Sequence, residues 1–293
     1  TQATLVQGGK AIFAQIETIL TAEPTSITFG AATTAELKAE AEVDAALLVY
    51  IDGIFATVDA TAVGEVTGSP AALSSLVTAI GAGTISLNGN VDFAADDSIG
   101  VTLANALTAL SGTGNVLATI AETDIVTLKT LTASDNDLTI TVADTQVAAA
   151  DLLAVNAATT LEVDATAVTR VNGSLADALL LKADVEGNEI EGLTDARFYL
   201  SDTGSNLGAD VMSLANFTTG RVYSVSETYV GLAADLGSTD NPASFLGAIN
   251  AGTLITNSAF SLQLSSDDTG TLDPILINAD VLANLVPTMP NFE

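Results

Sequence analysis

The chain contains no cysteine, histidine or tryptophan among its 293 residues. The lack of cysteine excludes disulfides, thiolate nucleophiles and zinc–thiolate sites, and the lack of histidine removes the commonest general base and transition-metal ligand. No Gly-x-Ser-x-Gly motif or phosphate-binding loop is present, and aromatic residues amount to 4% of the chain. These absences predict a protein that is not an enzyme.

Basic residues are scarce as well, since the chain has 7 lysines and arginines and 36 acidic residues, which gives a net charge of −29. Such a surface repels phosphate backbones, so we expect no nucleic-acid partner. We also expect screening by high ionic strength or by divalent cations, because a charge of this size opposes compaction and association. The cations are scattered along the sequence and predict no basic patch: Lys10, Lys38, Lys129, Arg170, Lys182, Arg197 and Arg221.

Long hydrophobic runs are missing, although hydrophobic residues make up 48% of the chain. The longest run, "AALLVYI" at 45–51, is far shorter than the roughly 18 residues that cross a bilayer, so we expect no membrane insertion. No basic-then-apolar leader follows Thr1. We therefore expect a processed chain, export by another route, or a piece of a longer protein.

The N-terminal part has helical spacing. Apolar residues of 3–22 suit one helical face, and 33–51 begins with Thr33 and Glu36 in a capping-box arrangement. Two helices are predicted, and residues 1–53 are predicted to form an N-terminal helical segment or cap.

One phrase then occurs twice. "VDATAVGEVTGS" at 58–69 and "VDATAVTRVNGS" at 163–174 agree at nine of twelve positions. Each copy predicts a strand, a glycine break and a helix capped by a serine, with the valines facing the core. A looser third copy, at 103–120, has Gly112 in the position of Gly68 and Gly173.

A second phrase, an alternating strand that ends in aspartate and a hydroxyl residue, occurs at 91–98, 140–145, 198–203 and 262–269. Together the two phrases define a unit of roughly 45 to 60 residues, and such units bury their apolar faces by stacking. The prediction is an α/β repeat domain over 54–275, with short strands alternating with short helices in a solenoid-like stack. Residues 276–293 are predicted to be a C-terminal tail.

The succession of "ADT" or "SDT", "VAAADLLAVNAATT" and "VDATAVTRVNGSLADAL" resembles the degenerate repeats of very large secreted surface proteins of cyanobacteria and other marine bacteria. These are S-layer-like proteins and adhesins, often exported by type I secretion. The resemblance covers about 54–275. It implies an extracellular, cell-surface location and a structural or adhesive role.

The strand-ending aspartates are candidate calcium ligands, because calcium takes six to eight oxygen ligands. The alternative for each site is a cap of the next helix or an Asx turn, which explains the position without an ion. The candidates are Asp96, Asp97, Asp135, Asp137, Asp144, Asp202, Asp267 and Asp268.

We therefore expect a non-enzymatic structural protein that self-assembles into a cell-surface layer, sheath or filament. The alternative is a stalk or binding module of a giant adhesin, and the third possibility is an enzyme that acts on polysaccharide. The expected partner is a second copy of the chain, with a cell-surface glycan or a neighbouring surface protein as further candidates.

Overall fold

The computed structural model describes residues 2–5, 34–37, 42–202, 205–224, 228–232, 248, 252–255 and 261–265. Within these residues, parallel strands alternate with seven α-helices, so the predicted α/β class is confirmed. The chain divides into two compact units, and each described sheet belongs to one of them.

Unit 1 comprises Thr1–Thr123, Thr130–Ile140 and Ala157–Leu161. Its strands are β1 (Gln2–Leu5), β2 (Thr34–Leu37), β3 (Glu42–Asp44), β4 (Thr57–Ala60), β5 (Glu65–Gly68), β6 (Ile85–Leu87), β7 (Asp92–Ala95), β8 (Val116–Thr119) and β9 (Asp137–Thr139). Its helices are α1 (Ala45–Asp52), α2 (Pro70–Ala82) and α3 (Val101–Ser111). The strands form a four-stranded sheet in the order β1-β2-β4-β6 and a five-stranded sheet, called sheet A below, in the order β3-β5-β7-β8-β9.

Unit 2 comprises Asp124–Lys129, Thr141–Asn156 and Glu162–Glu293. Its helices are α4 (Ile125–Leu128), α5 (Ala149–Asn156), α6 (Leu175–Glu186) and α7 (Gly208–Phe217), with a 3-10 turn at Leu193–Asp195. Its strands are β10 (Gln146–Ala148), β11 (Val163–Asp164), β12 (Arg170–Gly173), β13 (Ile190–Glu191), β14 (Arg197–Leu200), β15 (Ser205–Leu207), β16 (Val222–Ser224), β17 (Thr228–Leu232), β18 (Leu254–Ile255) and β19 (Ser261–Ser265). The five-stranded sheet β10-β12-β14-β16-β18 is called sheet B below, and β11-β13 and β15-β17-β19 form two smaller sheets.

Every described strand pair is parallel, and in most pairs of sheets A and B the register partners lie about 23 to 27 residues apart. The repeating strand–helix segment is therefore shorter than the predicted unit of roughly 45 to 60 residues, because one strand and one helix suffice to reach the next position in the sheet. Side chains of a strand alternate between its two faces, so this register builds straight rows across each sheet. The inward row of sheet A is buried and contains Val43, Val66, Phe93 and Val116. The inward row of sheet B is also buried and contains Val147, Val171, Phe198, Val222 and Leu254.

The repeated phrase forms the same corner in both copies. The Asp59 carboxylate accepts hydrogen bonds from the backbone N–H of Thr61 (3.1 Å) and from its hydroxyl (2.7 Å). Asp164 and Thr166 repeat these contacts at 3.0 and 2.7 Å. This Asx turn separates two strands that join different sheets. The phrase thus forms strand, turn, strand and helix rather than the single strand that its alternation predicts. The valines predicted to face the core are all buried: Val58, Val63, Val163, Val168 and Val171.

Serine caps begin the helices that follow the phrase, as predicted. The Ser69 hydroxyl accepts from the backbone N–H of Ala72 (3.3 Å), and Pro70 is the first residue of α2. The Ser174 hydroxyl accepts from the backbone N–H of Asp177 (3.0 Å) at the start of α6.

The helix predicted over 33–51 is wrong in its first half. Residues 34–37 and 42–44 are strands, and α1 begins at Ala45 behind an Asp44 cap. Strand pairing outweighs the helical composition here, because β2 pairs with β4 and β3 pairs with β5. The helix predicted over 3–22 is contradicted at its start by β1, and its remainder lies outside the described residues.

The third copy of the phrase is also misaligned. Gly68 and Gly173 lie between a strand and a helix, as predicted. Gly112 instead ends α3 with a φ of 64°, before a strand. A left-handed residue at a helix end is a position that glycine fills without a steric penalty, so this glycine marks the opposite junction.

Candidate functional site

Two of the predicted calcium ligands cap helices in the structure. One carboxylate oxygen of Asp144 accepts from the backbone N–H of Ile125, the first residue of α4, at 2.6 Å. One oxygen of Asp202 accepts at 2.6 Å from the corresponding N–H of Leu175 in α6. Each carboxylate thus satisfies an N–H that has no partner within its helix and faces the positive end of the helix dipole.

The same kind of cap occurs in unit 1 with a glutamate. One oxygen of Glu122 accepts from the backbone N–H of Val101, the first residue of α3, at 3.0 Å. In all three cases the acid lies about 19 to 27 residues after the helix start that it caps. The strand-ending acids therefore join one segment of the chain to the preceding one.

Asp137 belongs to a polar row across unit 1. Its carboxylate accepts from the amide of Asn115 (2.6 Å) and from the hydroxyl of Thr160. The Asp92 carboxylate accepts in turn from the backbone N–H of Asn115 at 2.7 Å. The Thr160 hydroxyl and the Asn115 amide hold the pKa of Asp137 below its ordinary value of 3.8, because both favour the ionised form.

The remaining predicted ligands include three described aspartates and two that the structure does not describe. Asp96, Asp97 and Asp135 are exposed, and Asp267 and Asp268 lie outside the described residues. Among the residues that the structure describes, no three acidic side chains are grouped around a position for one metal ion. A calcium ion at any of these aspartates would complete its six to eight ligands with carbonyl oxygens or water.

Asn156, Asp184 and Glu189 form a separate cluster in unit 2. The Asn156 side-chain amide donates to both carboxylates, at 3.1 Å to Asp184 and 3.0 Å to Glu189. Burial raises the pKa of Asp184 above its ordinary value of 3.8, and repulsion from Glu189 raises it further, while the Asn156 hydrogen bond opposes both effects. This is a carboxyl group whose ionisation the fold disfavours.

The arginines form a group that the sequence analysis missed. Arg170 and Arg197 are register partners on neighbouring strands of sheet B. Arg221 directly precedes Val222, the register partner of Phe198, and so continues the same outward row. We call Arg170, Arg197 and Arg221, which are all the arginines of the chain, the arginine row. Their spacings of 27 and 24 residues match the offsets between paired strands, which is the signal that identifies the row.

Two tyrosines accompany the arginine row on the outward face of sheet B. The Tyr199 and Tyr223 rings stack with centroids 4.3 Å apart and planes inclined by 6°. The guanidinium carbon of Arg170 lies 3.7 Å from the centroid of Tyr199, and its Nε donates to Asn172 at 2.8 Å. Cation–π contact and stacking hold these side chains in one arrangement. We call the arginine row with Tyr199 and Tyr223 the arginine–tyrosine face.

Acidic neighbours do not neutralise this face within the described residues. Among the described residues of the chain, the ion pairs are Lys129 with Asp151 and Lys182 with Glu186, and neither contains an arginine. Arg197 and Arg221 are both exposed. The arginine–tyrosine face is therefore a local positive surface on a chain whose net charge is −29.

The equivalent face of sheet A carries the opposite charge. Glu65 has the position in the first copy of the phrase that Arg170 has in the second, and Asp92 has the position of Arg197 on the next strand. Glu42 extends the row as the register partner of Glu65. We call Glu42, Glu65 and Asp92 the acidic row. The two sheets thus share an inward row of Val, Val, Phe and Val and differ in the charge of their outward rows.

Among the described residues the longest helix is α2, with 13 residues, and no helix there has the length and apolar content needed to cross a bilayer. The chain was compared with models of protein families, with curated proteins and with solved structures. None of the three comparisons found a match.

Proposed function

We propose that this chain is an extracellular structural protein, without catalytic activity, that self-assembles into a cell-surface layer, sheath or filament. We also propose that its strand–helix segments stack as a solenoid. The observation that carries this proposal is the row-by-row register of sheets A and B, in which each strand pairs in parallel with the strand of the following segment. Repeats of this kind need contacts only with their neighbours, so they build extended and stiff scaffolds.

Contacts between segments support the same proposal. The inward rows of both sheets are buried, and carboxylates cap helices of the preceding segment. These contacts tie consecutive segments together and leave the outward faces of the sheets for contacts with other molecules. A protein that builds an assembly needs both properties.

Particle size and shape test the proposal. Sedimentation velocity and negative-stain electron microscopy of the chain, with and without calcium and at several salt concentrations, should show ordered particles much larger than the 29.5 kDa monomer. A monodisperse monomer under all of these conditions would contradict self-assembly.

The alternative is a binding module or stalk of a larger adhesin, and the arginine–tyrosine face favours it. Stacked tyrosines and arginines suit an anionic glycan, because rings pack against sugars and guanidinium groups pair with carboxylates. Binding of a polyuronate such as alginate to the monomer, detected by calorimetry, would support this alternative.

A further inference from the structure

We infer that the arginine–tyrosine face of sheet B binds the acidic row of sheet A on a second copy of this chain. This inference rests on the proposed self-assembly and names the surfaces that carry it. The two faces are equivalent positions of a duplicated sheet, so they have the same strand spacing and opposite charge.

Strand geometry gives the arginine row and the acidic row the same spacing between successive residues. Neighbouring strands of a sheet lie about 4.8 Å apart, so successive arginines of one row and successive carboxylates of the other have the same spacing. When the two faces meet, the carboxylates of Glu65 and Asp92 lie at the spacing of Arg170 and Arg197. Arginine–carboxylate pairs of this kind are charge-assisted and frequently bidentate.

The second outward row of each sheet adds complementary shape. In sheet B this row holds Tyr199 and Tyr223, which are large. The equivalent positions of sheet A hold Ala94, which is small, and Leu117, which is 52% exposed. A tyrosine ring therefore has space above Ala94 and an apolar contact at Leu117. Aromatic residues and arginine are also the residues that most often dominate the free energy of protein interfaces.

The charge of the whole chain explains why this contact is selective. Two copies that each carry −29 repel one another across most orientations. The arginine row holds three of the chain's seven basic residues, so it is a surface on which an acidic face of another copy meets attraction. Because the two faces differ, the contact is heterologous, and it adds copies in one direction until a ring closes or a filament grows.

Charge reversal on the exposed arginines tests the interface. In Arg197→Glu/Arg221→Glu, the concentration at which particles form in sedimentation velocity should rise by about tenfold or more, because like charges then face each other. The matched control is Lys129→Glu/Lys182→Glu, which changes the net charge equally at two sites outside sheets A and B and should assemble as the parent does. Circular dichroism establishes that each variant is folded.

A complementary variant provides the rescue. Glu65→Arg/Asp92→Arg should also lose self-assembly, and an equimolar mixture with Arg197→Glu/Arg221→Glu should form mixed particles, since each variant then supplies the face that the other needs. If the Asp92 change impairs folding through the loss of its bond to Asn115, Glu65→Arg alone serves in the mixture.

The outcomes separate this inference from the proposed function. Assembly of Arg197→Glu/Arg221→Glu at the parent's concentration overturns the interface and leaves self-assembly standing. A parent chain that is monomeric under every condition overturns both. Alginate binding by such a monomer, lost in Arg197→Glu/Arg221→Glu, assigns the face to a glycan instead.

Discussion

Gly173 packs so closely on Ala149 that a Cβ added to the glycine would lie 2.8 Å from the Cβ of the alanine. The first copy of the phrase repeats this contact, since a Cβ on Gly68 would lie 3.2 Å from the Cβ of Ala45. In both copies the glycine ends a strand and the alanine is the first residue of the helix in the preceding segment. The absence of a side chain at these two positions therefore lets each strand end approach the helix start of the preceding segment.

Gly173→Ala should lower the free energy of unfolding by about 1 to 3 kcal/mol, because overpacking forces the helix and the strand apart. Gly81→Ala is the matched control, since Gly81 lies inside α2 with no atom within 4 Å of an added Cβ. That change should stabilise the protein by about 0.5 to 1 kcal/mol through helix propensity. Denaturant unfolding measures both values, and equal effects of the two substitutions would show that the Gly173 contact does not limit the packing.

The helix caps from neighbouring segments lead to a second prediction. Asp202→Ala removes the acceptor of the Leu175 N–H and should cost about 0.5 to 2 kcal/mol of stability, as should Asp144→Ala for the Ile125 N–H. Asp97→Ala, which changes an exposed aspartate of the same predicted set, should leave the melting temperature almost unchanged. Equal losses in all three variants would point to a general charge effect instead of capping.

Local patterns in the sequence predicted the parts of the fold that depend on local forces. The Ser69 and Ser174 caps and the buried valines of the phrase follow from short-range spacing, and the structure confirms them. The strand at 42–44 was missed because it exists through pairing with residues 65–67, which no local pattern reveals.

The candidate site was predicted less well because its contacts join distant segments. For Asp144 and Asp202 the capping alternative named the next helix, which is wrong, because the helix that each one caps begins 19 or 27 residues earlier in the chain. The arginines look scattered in the sequence because the segments between them differ in length. Their alignment across sheet B depends on those lengths. The sequence shows that Glu65 in the first copy of the phrase corresponds to Arg170 in the second. Only the register of the sheets shows that these residues lie on equivalent outward faces of opposite charge.

Calcium binding stays a prediction, and chelation tests it. Removal of calcium at constant ionic strength should lower the melting temperature or the particle size if an ion binds the native state. The capping oxygens of Asp144 and Asp202 are engaged by backbone N–H groups, so we expect the Asp144→Ala and Asp202→Ala losses to persist in the chelator. A loss that disappears in the chelator would instead mean that these carboxylates act through the ion.

The Asp184 carboxyl predicts an unusual dependence of stability on pH. Burial first, and then repulsion from Glu189, raise its pKa above 3.8, so the folded chain holds this proton more tightly than the unfolded chain does. The stabilisation that this group contributes is therefore fully present below pH 3.8 and is lost as the pH rises through the raised pKa.

Asp184→Asn removes the cost of ionising this group in the folded chain, so it should raise the melting temperature near pH 7. The gain should vanish at about pH 3, where Asp184 is protonated in both states. Asp97→Asn, at an exposed position, should show no such gain at either pH. Thermal melts of the parent and both variants at the two pH values measure the effect. If Asp184→Asn instead leaves the melting temperature near pH 7 unchanged or lowers it, the ionised Asp184 carboxylate does not destabilise the fold and the prediction is wrong.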